Sequence, residues 1–264
     1  MPSSTVKVRS SQGGAFDCYL ALPDANEPVP AMVLACAIHG VDADLRQIAD
    51  EIASHGFIAA APDLFWRSIP GPLGHDDPRA PERSQPRLEK IKAGEADMAD
   101  TLAYVRTLKQ SNGRAGAMGF CYGGPYAILG PKRLGYEAGI SCHGTRMLDY
   151  LPELEGVTAP VCIHWGDQDH VAPPDQGGNR QAFVHHGLHR AKDPLFLSFG
   201  INDAAGILAG HVEYGPHELA GAIDEFLQLV FIGLEIGDRP AGDTGFYGGA
   251  GNGRSDGEDQ ARVE

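Results

Sequence analysis

No apolar run in this chain reaches the roughly 18 residues needed to span a bilayer, which argues against a membrane protein. The opening Met-Pro-Ser-Ser-Thr-Val-Lys-Val lacks the apolar core of a secretory signal, so a cytoplasmic location is expected. Cysteine is sparse: five residues, at 18, 36, 121, 142 and 162, with no metal-ligand spacing and no paired framework. Reduced thiols are the simplest reading. Positive charge is also scarce, with 21 Lys and Arg against 35 Asp and Glu and a formal net charge of −14. That balance argues against nucleic acid and anionic membrane surfaces as partners. Internal repeats, Walker loops and Gly-x-Gly-x-x-Gly patterns are missing, and no cofactor is expected.

What the 264 residues do contain is enough apolar material, 42%, to bury one substantial core. Val6–Ser10 and Phe16–Leu22 flank a Gln-Gly-Gly turn and read as an antiparallel hairpin. Ala31–Ile38 is nearly continuous apolar sequence, suited to a strand covered on both faces. A helix from about Asp44 to Ser54, a strand at Phe57–Ala61 and an amphipathic helix at Glu95–Leu108 follow. Strands are then expected at Arg114–Phe120, Ala138–Cys142, Val161–Trp165 and Leu195–Phe199, with a last helix at Pro216–Phe231. This alternation predicts an α/β fold with a doubly wound, mostly parallel sheet in a single domain over 1–236. The remainder, 237–264, is glycine-rich and polar and is expected to be disordered.

The densest chemical signal is Gly119-Phe120-Cys121-Tyr122-Gly123, which has the form of a nucleophile elbow with cysteine in place of serine. Such a corner thrusts its nucleophile outward from a strained strand-to-helix turn, and a Cβ at −2 or +2 would strike neighbouring backbone. The helix N-terminus behind the corner favours thiolate, and the Tyr122 N–H can support an oxyanion. An acid and then a histidine should follow in the chain. The acid has two candidates, Asp167 and Asp169, in the turn after Val161–Trp165; Asp167 suits an Asx-type cap of that turn. Among the later histidines, His211 lies in a glycine-flanked loop before the last helix, with His217 the alternative. His185 and His189 have the i, i+4 spacing of a metal pair, but Gly187 weakens that helix and no third ligand is near, so no metal is expected.

The Gly-Phe-Cys-x-Gly-Gly elbow, Ala-Pro-Asp-Leu-Phe at 61–65, Gly-Asp-Gln-Asp-His-Val at 166–171 and Ala-Gly-His at 209–211 resemble the dienelactone hydrolase (carboxymethylenebutenolidase) family. The resemblance covers about 14–232 and implies an α/β-hydrolase fold. It implies a Cys121–His211–Asp169 triad and an oxyanion hole from the Ile38 and Tyr122 N–H groups. An activated small-molecule ester or lactone is the expected substrate, cleaved through an acyl-thioester. Family members acting on dienelactone carry a Glu beside the oxyanion-hole residue and an Arg shortly after the catalytic histidine. This chain has Ala37 and Glu213 there, which points to a neutral or differently shaped substrate.

A stretch from Arg67 to Arg87, with five prolines and four arginines, is expected to form a long loop that walls the substrate site. Substrate-facing candidates are His39, Trp66, Arg67, Arg83, Arg87, His143 and Glu213. A general small-acyl thiol esterase and a non-catalytic ligand-binding homologue are the alternatives, and the residues leave monomer and homodimer both open.

Overall fold

The computed structural model describes residues 2–85, 87–157, 159, 161–165 and 196–200; for 87–91, 162, 164, 165 and 196–200 it describes the backbone. Among the described residues eight strands form one sheet in the order β1-β2-β4-β3-β5-β6-β7-β8. β1 (Ser3–Arg9) and β2 (Ala15–Ala21) make the expected hairpin, and β2 also pairs antiparallel with β4 (Ile58–Pro62). Gly13 and Gly14, both with φ near +90°, turn the hairpin. From β4 onward every pairing is parallel, through β3 (Val29–Ala35), β5 (Ser111–Phe120), β6 (Ala138–Cys142), β7 (Val161–Trp165) and β8 (Phe196–Gly200). This is the mostly parallel α/β sheet the alternating elements predict, and it agrees with the α/β-hydrolase fold that the resemblance implies.

The central strands are apolar because both of their faces are covered. Ala31 through Cys36 and Ile58 through Ala61 are fully inaccessible to solvent. Helix α1 (Ala43–Ser54) starts at Asp42, whose carboxylate accepts from the Leu45 N–H at 2.9 Å, and it buries Leu45, Ala49 and Ile52. Helix α3 (Arg87–Arg106) buries Met98, Leu102 and Val105 of the apolar stripe Met98, Leu102, Val105 and Leu108 in the sequence; the fourth, Leu108, lies beyond its end and is half-buried.

Three expectations need correcting. α3 begins eight residues before Glu95, because the apolar stripe identifies only the part of a helix that faces the core. The proline-rich stretch holds a short helix, α2 (Arg79–Arg83), packed against the body of the protein. Ala31–Ile38 leaves the sheet after Ala35, where β3's pairing with β5 ends at Ala35 opposite Gly119. Cys36 to Ile38 thereby lie beyond the sheet, with the Cys36 carbonyl beside Gly123. Asp167, Asp169, His185, His189, His211, Glu213, His217, the last helix and the tail at 237–264 lie outside the described residues. No described helix is long and apolar enough to cross a membrane.

Helix α4 (Gly124–Arg133) meets α3 at Gly94, where an added Cβ would sit 2.5 Å from the Tyr126 hydroxyl. Tyr126 is buried, and its hydroxyl donates to that of Tyr122 at 3.1 Å, so the ring has little room to yield. Gly94→Ala gains up to about 1 kcal/mol of helix propensity but overpacks the seam by roughly 1–3 kcal/mol. A net loss of about 1 kcal/mol is expected in urea unfolding; stability equal to or above wild type would show that the seam yields.

Candidate active site

Phe120 ends β5 in an extended conformation (φ −116°, ψ 130°), and Cys121 then turns to φ +50°. A residue with a Cβ occupies that region at a cost of order 1–3 kcal/mol, so its surroundings must hold it there. Two donors do so through the Cys121 carbonyl: the Gly124 N–H closes a single 3-10 turn over Cys121–Gly123, and the Thr145 N–H reaches it at 3.0 Å. The Thr145 hydroxyl lies 3.4 Å from the same oxygen.

The glycines of the elbow are explained by backbone crowding. A Cβ on Gly119 would run into the Gly123 carbonyl, and one on Gly123 would run into the Ala35 carbonyl at the end of β3. Gly124 is equally constrained, since its Cβ would lie 2.5 Å from both the Ser141 Oγ and the Gly144 Cα. The corner is therefore pressed between the ends of β3 and β6. The helix expected behind the corner does not begin at once: the 3-10 turn comes first, and α4 follows from Gly124. No acidic residue occupies the first turn of α4, so its N-terminal partial charge is not offset by a carboxylate on the helix.

Cys121 differs from the other described thiols. Cys18, Cys36 and Cys142 are buried, whereas Cys121 is half-buried. Burial pushes the Cys36 and Cys142 thiols up to about 12, and Cys18 higher still. These three are inert side chains of the core.

Ile38 lies in the segment that leaves β3 beside the elbow; no hydrogen bond among the described residues takes up its N–H. Its carbonyl accepts from Arg83 Nε at 2.7 Å, while the Leu73 N–H donates to the His39 carbonyl at 2.9 Å. The loop after β4 is thus laid directly along this segment. Asp63, buried at the loop's base, organises it by accepting from the Phe65 N–H (2.9 Å) and the Gly71 N–H (2.7 Å).

The other substrate-facing candidates take varied positions. His143 follows β6 as Cys121 follows β5, with Phe120 paired to Cys142. It is exposed, has φ +43°, and its ring centroid is 6.4 Å from that of Phe120. His39 is half-buried and stacks at 4.6 Å on His75, an exposed residue of the loop. Trp66 and Arg67 are anchored to Asp97 of α3: Trp66 Nε1 donates at 3.1 Å and Arg67 Nη1 at 2.6 Å to Oδ2. Arg67 also donates to the Ser10 hydroxyl, and Trp66 packs on Phe16. Burial raises the Asp97 pKa, and Arg67 opposes that rise. Arg83 is almost wholly buried among carbonyls. Arg87 opens α3, and only its backbone is described.

Sequence reasoning missed Thr145, Asp63 and Asp97. Asp63 stands in the Ala-Pro-Asp-Leu-Phe segment at 61–65, but its partners, like those of Thr145 and Asp97, become evident only in the fold. Asp42, Asp44 and His75 bring potential ligand atoms within 4.8 Å of one another. Helix capping and the α1 dipole account for both carboxylates.

The profile of the dienelactone hydrolase family matches residues 16–200. The chain belongs to the dienelactone hydrolase family. It is accordingly a hydrolase of the ester- and lactone-cleaving type. A carboxymethylenebutenolidase from Pseudomonas putida is 30% identical over 176 residues, 66% of this chain and 74% of that one. Carboxymethylenebutenolidase 1 from Cupriavidus pinatubonensis is 28% identical over 213 residues, 74% of this chain and 90% of its own. Among solved structures, a dienelactone hydrolase-like promiscuous phosphotriesterase from metagenomic libraries aligns with a TM-score of 0.62 at 16% identity, covering 89% of this chain and 99% of its own. An α/β serine hydrolase without a lid from Xanthomonas campestris aligns at 0.56 and 15% identity, covering 87% and 96%. Those two likenesses concern the fold alone.

Iodoacetamide at mildly alkaline pH is expected to modify Cys121 while leaving Cys18, Cys36 and Cys142 unmodified until urea unfolds the chain. Peptide mass mapping checks this; native labelling of Cys36 or Cys142 at a rate comparable to Cys121 would contradict the burial described.

Proposed function

We propose that this hydrolase cleaves a neutral activated ester or lactone through a thiolate nucleophile, Cys121, in a triad with His211 and Asp169. The observation that carries the reading is the elbow itself: a half-buried cysteine at φ +50°, pressed between two strand ends at the N-terminus of α4. Nothing in packing alone calls for a strained, accessible thiol at that corner. The other described thiols, Cys18, Cys36 and Cys142, are buried on strands or beside them.

In the proposed cycle His211 takes the thiol proton, Asp169 holds its imidazole in the required tautomer, and the thiolate attacks the substrate carbonyl. The Ile38 and Tyr122 N–H groups receive the developing oxyanion. As the tetrahedral intermediate collapses, the C–O bond to the leaving group breaks and His211 returns the proton to the departing oxygen. Water, deprotonated by His211, then attacks the acyl-thioester and releases acid and thiol. A thiolate is itself a good leaving group, so the forward path favours substrates whose oxygen departs easily, such as enol esters. An ordinary small-acyl ester with a good leaving group would follow the same path.

Charge supports the neutral substrate. A dienelactone carboxylate would meet Glu213 in place of the arginine found in relatives that act on it, with Ala37 beside the oxyanion-hole residue. Arginines of the loop could compensate, but three are committed elsewhere. Arg67 pairs with Asp97, Arg79 with Asp77 at 2.7 Å, and Arg83 binds carbonyls. The reading places this single-domain enzyme, spanning about 1–236, in the cytoplasm, where its thiol stays reduced.

Turnover of p-nitrophenyl acetate and neutral enol-lactones is expected to fall at least about 10³-fold in Cys121→Ala, since removal of a nucleophile leaves only residual catalysis. Neutral enol-lactones should exceed dienelactone in kcat/KM by at least about tenfold, the equivalent of one misplaced charge. Equal, negligible hydrolysis by both proteins would favour a ligand-binding homologue, and dienelactone as the best substrate would overturn the charge argument.

A further inference from the structure

Arg83 sits on α2, in the loop expected to contact substrate, yet it is 1% exposed. Its Nε donates to the Ile38 carbonyl at 2.7 Å, and Nη1 donates to those of Ile69 (2.9 Å) and Gly71 (2.7 Å). The guanidinium carbon lies 4.2 Å from the Phe65 ring centroid, a cation–π distance. Phe65 in turn stacks on Tyr122, with centroids 5.0 Å apart. Gly40 makes room for the head group: a Cβ there would lie 2.7 Å from Nη2. One cation therefore grips the backbone of one proposed oxyanion-hole residue and, through a single ring, braces the side chain of the other.

We infer that Arg83 is a positioning residue that aims the oxyanion hole by fixing the Ile38 peptide and backing the Phe65–Tyr122 stack. The inference rests on the thiol-hydrolase reading above. The Ile38 N–H and C=O flank one Cα, so holding the carbonyl limits rotation of the residue and with it the direction of the N–H. Both N–H groups must point where the oxyanion will form, and a misplacement of about 1 Å can cost on the order of 10²-fold in rate. Lysine does not substitute for this role: a single ammonium lacks the planar fork that reaches Ile38 on one side and Ile69 and Gly71 on the other. Burial lowers the Arg83 pKa and also withholds the head group from solvent, so it holds the protein's own carbonyls rather than a substrate carboxylate.

Two reactions of the same thiol separate aiming from general damage. Acylation of Cys121 by p-nitrophenyl acetate passes through an oxyanion. Alkylation by iodoacetamide is displacement at saturated carbon and forms none. In the full-length chain, Arg83→Met is expected to slow the p-nitrophenolate burst about 10- to 100-fold, with alkylation of Cys121 within about twofold of wild type. Arg83→Lys should show the same selective loss at smaller size. If Arg83→Met fails to fold by circular dichroism, the ratio of the two rates in Arg83→Lys decides. A parallel fall of both reactions, or no fall in either, overturns the positioning role. A wild-type burst no larger than that of Cys121→Ala is a separate result: it overturns the thiol-hydrolase reading, and this inference with it.

Discussion

A thiol presented at a strand-to-helix corner requires two backbones to approach more closely than any side chain permits. In this protein one such approach is between Gly123, two residues after Cys121, and the Ala35 carbonyl at the end of β3. Gly119 makes a second such approach to the turn that follows it, and Gly124 a third to the loop after β6. The left-handed conformation of Cys121 is tolerable because it is overdetermined on three sides. Much else follows from that compression. Cys36–Ile38 leave the sheet beside the corner, and Thr145 is brought to the Cys121 carbonyl.

Around this corner the polar groups of an acidic protein are arranged with local economy. Net charge is −14, yet a carboxylate and a guanidinium, Asp63 and Arg83, are buried in the loop after β4. Each bonds mainly to backbone: Asp63 to two N–H groups, Arg83 to three carbonyls. A buried charge is costly unless it is hydrogen-bonded, and a loop of this length has many backbone groups with no ladder to join. The two requirements satisfy each other. The result is a loop held against the oxyanion-hole segment by specific bonds, although its composition suggests no regular structure.

The hairpin, the buried central strands, the elbow strand and the amphipathic stripe of α3 were all legible in the sequence. Each is governed by short-range periodicity or by a turn with a strict steric requirement. Less legible were the early start of α3 and the helix at Arg79–Arg83, where proline and arginine conceal a turn that tertiary bonds stabilise. Charge was misleading about roles. Arg67 and Arg83 read as surface arginines facing a substrate, but Asp97 and the loop carbonyls claim them. Nothing within a few residues of either arginine indicates those partners, which lie up to 45 positions away.

By itself the amino-acid order determined the alternation of strands and helices, the place of the nucleophile and the need for glycine at 119 and 123, because local sterics and periodicity act over a few residues. Only the tertiary structure decided which cysteines are inert and which is accessible. It also decided that Thr145 secures the strained carbonyl, and that Arg83 serves the backbone instead of facing solvent. Those outcomes depend on burial and on pairing between distant segments, and burial is a property of the assembled sheet rather than of any stretch of chain.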